Sequence, residues 1–374
     1  MDHHFSSESS YPQSSLERWT DKFERQAALT PTKTAITSDS RTLSYGDLNE
    51  RSNEIAALLR SHGIGRGHFV GLGLPRSLDL PVALLGIMKS GAAYVPIDPG
   101  HSAARIAHTI SSGKIQFVVT HKDLADEFPT AKTLCVDDLI DVISTSGSTR
   151  KSNAPITYQR GFENLLHWYS IELTLGPSGK MLVISSPSFD LTQKNFFAPL
   201  LTGGILVLDD CQNHDVSRIT EMIQHQGVTL IHCTPSVFYP LVDASAASDY
   251  GALSSLRFAV LGGKPITINR LRDWLEHHNC SAEIINSYGP TESTGIGAFH
   301  RLHRGNLNEF PFVALNENTN RLAHSRGAAS LTAEVAFDSP MESQIHTLWS
   351  EILARPGTEA DTHTGFSQLR SLAS

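Results

Sequence analysis

The sequence predicts an α/β fold in which parallel sheets are covered by helices on both faces. Three observations carry that expectation. Apolar runs of strand length recur along the chain: HFVGLGL, AAYVPIDP, IQFVVT, KMLVISS, ILVLDD, VTLIHC, LRFAVLGG and AEIINSYG. They are continuous rather than alternating, as in strands buried on both faces. Segments with helical spacing lie between them, and strand–helix alternation is the pattern of a parallel sheet.

Taken in order, residues 1–15 are rich in Ser and His and read as disordered. Leu16, Trp19 and Phe23 then follow helical spacing, and Thr30-Pro31 stops that helix. In TLSYGDLNERSNEIAALLRSHGIG, Ser44 and Asp47 stand at capping-box spacing. Leu48, Ile55, Leu58 and Leu59 form one apolar stripe behind them, ended by Gly63. HFVGLGL is a buried strand, LDLPVALLGIMKSGA a helix and AAYVPIDP the next strand, and the alternation runs on to AEIINSYG. Residues 301–337 show no clean period and read as a linker. In DSPMESQIHTLWSEIL, Ser339 and Glu342 form a capping box, Pro340 suits the first helical position, and Ile345, Leu348, Trp349 and Ile352 form an apolar face.

Composition bounds the function. A chain of 374 residues can build a large core in two or three domains. The net charge of −8 offers no footprint for nucleic acid or an anionic membrane. Cys135, Cys211, Cys233 and Cys280 are scattered, without metal-ligand spacing, and read as small buried hydrophobes in a reducing compartment rather than a disulfide frame. No apolar run is long enough to span a bilayer, and the amino terminus lacks a signal-peptide core, so a soluble, cytoplasmic protein is expected. The histidines show neither HExxH nor HxH spacing.

Several blocks have the make-up of a site. TSGST, Thr145, Ser146, Gly147, Ser148 and Thr149, offers hydroxyls and backbone N–H groups in a glycine-hinged turn, which suits phosphate oxygens. NSYGPTE follows a predicted strand, and Gly289-Pro290 forces a turn, so Tyr288 and Glu292 can project from a strand end. Asp190, in SFD after KMLVISS, is a carboxylate that can select a cation by charge-assisted hydrogen bonding.

With LSYGDLNERSNEIA, IMKSGAAYVPIDP and SFDLTQKNFFAPLLTGG, these blocks stand in an order that resembles the adenylation domain of a nonribosomal peptide synthetase, within the adenylate-forming ligases. The resemblance covers residues 16–300. It implies two stacked, mostly parallel sheets flanked by helices, followed by a short all-α tail. It assigns ATP contacts to Thr145–Thr149, Lys151, Gly263, Asn286, Tyr288 (on adenine), Gly289 and Thr291 (on phosphate), and Mg²⁺ to Glu292. It assigns the substrate's α-ammonium to Asp190. The side-chain pocket becomes Leu191, Lys194, His232, Val260, Gly262, Ser287, Gly295 and Ile296. A lysine and a histidine in one pocket favour a polar or acidic amino acid such as glutamate, because a buried ammonium needs a partner.

The chain also departs from the family pattern. After TSGST, Arg150-Lys151-Ser152-Asn153-Ala154 replaces a glycine-rich continuation and is about two residues short. The preceding VDDLIDVIS is abbreviated. Beyond NSYGPTE, neither the ribose-binding aspartate nor the lid lysine of the family has an equivalent, and the lost subdomain should leave apolar sheet surface uncovered. Residues 338–374 resemble the start of a carrier domain. Ser371 matches its phosphopantetheine serine, but two following glycines are absent, so a leftover helix without attachment is expected. The parent reaction activates an amino acid with ATP as an aminoacyl-adenylate and passes it to a carrier thiol. The departures predict weak nucleotide binding and little turnover. Two other readings stay open: a silent remnant that binds nucleotide or a partner module, and an acyl-CoA ligase.

Overall fold

The computed structural model describes residues 18–38, 41–135, 159–211, 215–288, 296 and 298–307. The chain divides into two compact units, Met1–Leu315 and Asn316–Ser374, and every described residue belongs to the first. The predicted helix in DSPMESQIHTLWSEIL lies outside the described residues, as does the proposed disorder of residues 1–15.

Helix α1 (Trp19–Leu29) buries Trp19, Phe23 and Ala27 at four-residue spacing and ends before Pro31. A hairpin follows, β1 (Thr34–Ser38) and β2 (Arg41–Ser44), which the sequence reading missed. Helix α2 (Tyr45–Ser61) starts with the predicted capping box. The Asp47 N–H donates to Ser44 Oγ at 3.1 Å, and the Ser44 N–H donates to Asp47 Oδ2 at 3.3 Å. Its buried stripe is Leu48, Ser52, Ile55, Ala56 and Leu59, while Leu58 sits half-buried at the margin.

Next come β3 (Phe69–Leu72), α3 (Asp79–Ser90), β4 (Ala93–Pro96), α4 (Ala103–Ser112), β5 (Phe117–Thr120) and β6 (Lys132–Cys135). Strands β3 to β6 form a four-stranded, all-parallel sheet in the order β4-β3-β5-β6. Helix α3 is apolar nearly all round because it is buried on nearly every side. It packs on β3 and β4 and also on α2, which packs on β1 and β2. At the α2–α3 crossing a Cβ on Gly86 would lie 2.4 Å from Ile55 Cβ, so only glycine permits this approach.

The rest of the described chain is α5 (Gln159–Glu172), β7 (Lys180–Val183), α6 (Asp190–Leu201), β8 (Ile205–Leu208), α7 (Val216–Gln226), β9 (Leu230–Cys233), α8 (Pro235–Ser245), β10 (Phe258–Gly262), α9 (Arg272–Glu276), β11 (Glu283–Tyr288) and β12 (Ala298–Leu302). With β1 and β2 these strands make an eight-stranded sheet, β12-β11-β10-β9-β7-β8-β1-β2. Its pairs are parallel except for β1–β2 and β11–β12 at the two ends. The α/β class and the two sheets are therefore as expected.

One core joins both sheets, including Val70, Leu72 and Val118 of the smaller and Leu206, Val260 and Ile285 of the larger, together with α1, α2, α3, α5 and α6. A second core lies on the other face of the larger sheet, under α7, α8 and α9. Arg76 ties the sheets polar-fashion as well. From the turn after β3 its Nε donates to Asp209 O at 2.8 Å, and its two terminal nitrogens donate to Ile184 O and Cys211 O, at the ends of β7 and β8.

Two expectations change. Strand β12 runs past residue 300, where the linker was expected to begin, and Leu307 is buried in the second core. The large apolar side chains exposed among the described residues are Leu29, Phe69, Ile171 and Phe189, and none lies on a strand of the larger sheet. Helices occupy both faces of its central strands, so the expected uncovered surface is not found there.

Candidate functional site

Strands β7, β9, β10 and β11 are parallel neighbours, so their carboxyl ends, Val183, Cys233, Gly262 and Tyr288, share one edge of the larger sheet. Strand β7 leads into α6, which covers the face shared with α5. Its neighbour β9 leads into α8, which covers the opposite face. Adjacent strands whose connections leave in opposite directions open a crevice at their carboxyl ends, the usual ligand position in an open parallel sheet.

Register decides which predicted residues meet there. His232 pairs with Val260, which pairs with Ile285, and Gly262 pairs with Ser287. Because side chains alternate along a strand, His232, Val260, Gly262 and Ser287 belong to one face, the α5–α6 face. Ile296, half-buried, packs against the same core as Val260. The Ser287 hydroxyl donates to Leu261 O at 3.2 Å. Asn286 pairs with Leu261 and so belongs to the opposite face, away from His232. Gly263 follows β10 immediately with φ +77°, a turn that favours glycine.

Helix α6 begins at Asp190, with Leu191 second. One turn further, Lys194 and Asn195 are 0% and 1% exposed, and His232 is 2% exposed. Lys194 Nζ lies 5.6 Å from the centre of the Tyr169 ring, a cation–π contact from α6 to α5. The Tyr169 hydroxyl donates to Asn195 Oδ1 at 3.3 Å, and His232 Nδ1 is also 3.3 Å from that oxygen. The Tyr169 and His232 rings stack at 6.4 Å, inclined by 23°. His232 Nε2 is buried without a hydrogen-bond partner among the described residues.

Burial, and then the Lys194 charge, hold the His232 imidazole well below its ordinary pKa, so it is neutral at neutral pH. Burial pushes the Tyr169 phenol and the Cys233 thiol up, so neither ionises there and Cys233 is a poor nucleophile. All four cysteines are free, but only Cys233 is buried as expected; Cys135, Cys211 and Cys280 are half-buried. The edge thus carries a cation, a neutral imidazole and a neutral phenol, sealed from water.

Tyr169 and Asn195 were missed in the sequence reading. They lie 63 and 37 positions before His232 and meet it only through packing. The phosphate-loop residues Thr145 to Thr149 and Lys151, together with Gly289, Thr291, Glu292, Gly295 and Ser371, lie outside the described residues. Among the described residues no group of three or more His, Cys, Asp or Glu side chains could hold a metal ion. No helix among them is long and apolar enough to cross a membrane.

The sequence profile of the AMP-binding enzymes matches residues 23–136 and 123–321. A dimodular nonribosomal peptide synthase of Bacillus subtilis (strain 168) is 34% identical over 326 residues, covering 76% of this chain. Tyrocidine synthase 3 of Brevibacillus parabrevis is 32% identical over 303 residues, covering 75% of this chain. The chain spans only a small part of these relatives, 13% and 5% of their lengths. Among solved structures, the nonribosomal peptide synthetase FmoA3 in its α-methyl-L-serine-AMP-bound form superposes with a TM-score of 0.69 at 23% identity, covering 76% of this chain and 34% of that one. That likeness shows the fold.

Proposed function

The chain belongs to the AMP-binding enzyme family, and from that premise we propose that it activates an amino acid with ATP for nonribosomal peptide synthesis in the cytoplasm. The observation that carries this reading is the convergence of Lys194, Asn195 and His232 in one dry cluster beside the start of α6, at the crevice where β7 and β9 part. A fold does not need buried charge; a site that must hold a polar ligand does.

In the proposed reaction a carboxylate oxygen of the amino acid attacks the α-phosphorus of ATP. The bond from that phosphorus to the oxygen bridging to the β-phosphate breaks, and pyrophosphate leaves. The aminoacyl-adenylate is then attacked at its acyl carbon by a carrier thiol, and AMP leaves. No protein nucleophile is required, in keeping with the suppressed Cys233 thiol. Catalysis rests on holding reactants in line and neutralising charge. Asp190 receives the α-ammonium, and Leu191, Lys194, His232, Val260, Gly262, Ser287, Gly295 and Ile296 surround a polar or acidic side chain. Thr145–Thr149 hold the phosphates and Tyr288 the adenine. Magnesium would neutralise phosphate charge, and Glu292 is the residue assigned to it.

ATP–pyrophosphate exchange with a panel of amino acids tests the proposal. A weak but saturable signal with a polar or acidic amino acid, lost in Asp190→Ala, is expected, slowed by the departures from the family pattern. ATP binding in calorimetry without exchange would identify a silent remnant, and turnover of an acid lacking the amino group would identify an acyl-CoA ligase.

A further inference from the structure

We infer that Asn195 is a positioning residue that sets the tautomer of His232, and that the resulting pair of Lys194 as donor and His232 Nε2 as acceptor selects a carboxamide side chain, that of glutamine or asparagine, over a carboxylate. This rests on the proposed amino-acid site and narrows its substrate class.

The argument begins with Asn195 Oδ1. It already accepts from the Tyr169 hydroxyl, and an amide oxygen has a second lone pair to offer. His232 Nδ1 lies 3.3 Å from the same oxygen. An oxygen cannot donate, so the proton of that contact belongs to Nδ1. A neutral imidazole carries one N–H, and its other nitrogen is then a bare acceptor. Burial and the neighbouring Lys194 charge keep the ring neutral, so no second proton arrives. The ring is further held by stacking on Tyr169. His232 Nε2 is therefore a buried lone pair with no hydrogen-bond partner among the described residues, and a group in that state is satisfied only by a donor.

Lys194 carries three N–H donors and no acceptor. A donor and an acceptor that both pack against the Tyr169 ring match a primary amide, whose oxygen faces the ammonium and whose NH₂ faces Nε2. A carboxylate satisfies Lys194 but sets an oxygen against the Nε2 lone pair. An aliphatic side chain satisfies neither.

The test uses the full chain labelled with ¹⁵N-histidine, read by long-range proton–nitrogen correlation, with His232→Gln identifying the His232 signals. The expected result is a protonated Nδ1 and a bare Nε2. Asn195→Leu should move the balance towards Nε2–H, and Asn195→Asp, which still accepts from Nδ1, should restore the original pattern. Glutamine or asparagine should shift the Nε2 resonance, and glutamate should not. In exchange, kcat/KM for carboxamides should exceed that for the matching acids by about tenfold or more, as expected when one buried polar group is left unpaired. Asn195→Leu should narrow that ratio to about threefold or less. A wild-type Nε2–H tautomer, or a preference for glutamate, overturns the inference. If no amino acid supports exchange, the activation reading fails, while the tautomer and the glutamine-induced shift still decide this one.

Discussion

The two faces of the larger sheet carry different chemistry on the same strands. Under α7, α8 and α9, neighbouring strands present Ile231, Ala259, Leu261 and Ile284, packed with Phe238 and Trp274 into an apolar core. Under α5 and α6, one residue along, the strands present His232, Val260, Gly262 and Ser287 against Lys194, Asn195 and Tyr169. The first face has what folding asks for, continuous apolar burial at roughly 25 cal/mol per Å². The second buries an ammonium and an imidazole, which costs stability unless something repays it. The contrast teaches where to look for function: on the face that folds at a disadvantage.

That difference can be broken from the apolar side first. Phe238 is fully buried and meets Trp274 edge-on at 5.4 Å. Phe238→Ala should lose about 3–5 kcal/mol of unfolding free energy, measured by urea denaturation. A loss under about 1 kcal/mol would mean that this face is not the packed core described here.

On the polar side activity should fall before stability is considered. Lys194→Met keeps the volume and removes the ammonium, so exchange should fall by roughly a hundredfold. A Lys194→Met protein that is destabilised but catalytically unchanged would make Lys194 structural and erase the distinction.

Lys89 sharpens it further, as a buried amine whose partners are known. It is 3.4 Å from Glu24 and donates to Asn49 Oδ1 at 2.5 Å and Asn53 Oδ1 at 2.7 Å. Burial still lowers its pKa to about 8, against an ordinary 10.5. Between those values the unfolded chain binds more protons than the folded one, so unfolding free energy rises with pH across that window. Below pH 8 both states are protonated and the cost of burying the charge is present in full. Wild type should therefore gain stability relative to Lys89→Met from pH 8 to 10.5, seen in paired thermal melts, and a flat difference would refute the shift. The smallest effect belongs to the surface. Ser44→Ala removes one half of the α2 capping box and should cost about 1 kcal/mol without altering exchange.

Much of this arrangement was legible in the residues. The central strands of both sheets announced themselves as apolar runs because parallel strands are buried on both faces. Strands β2, β6 and β12 did not: RTLS, KTLC and AFHRL mix polar and apolar residues as sheet-end strands do, and β1, TAITS, next to β2, is mixed as well. Lys194 and His232 could be named from a motif and an alignment of blocks. Asn195 stood next to Lys194 in SFDLTQKNFF, yet nothing local says that its side chain reaches β9. Such contacts are properties of the sheet order, which no short window contains. The same holds for Asn286, whose place on the opposite face follows from the β10–β11 register.

Arg76 has a wider consequence. Its guanidinium stands in the connection of one sheet and is bonded to three carbonyls of the other. Parting the sheets breaks all three of these buried, charge-assisted bonds at once, so the two halves are riveted. They should yield to heat or denaturant as a single cooperative block, and a smaller sheet expressed alone would carry away half of a joint.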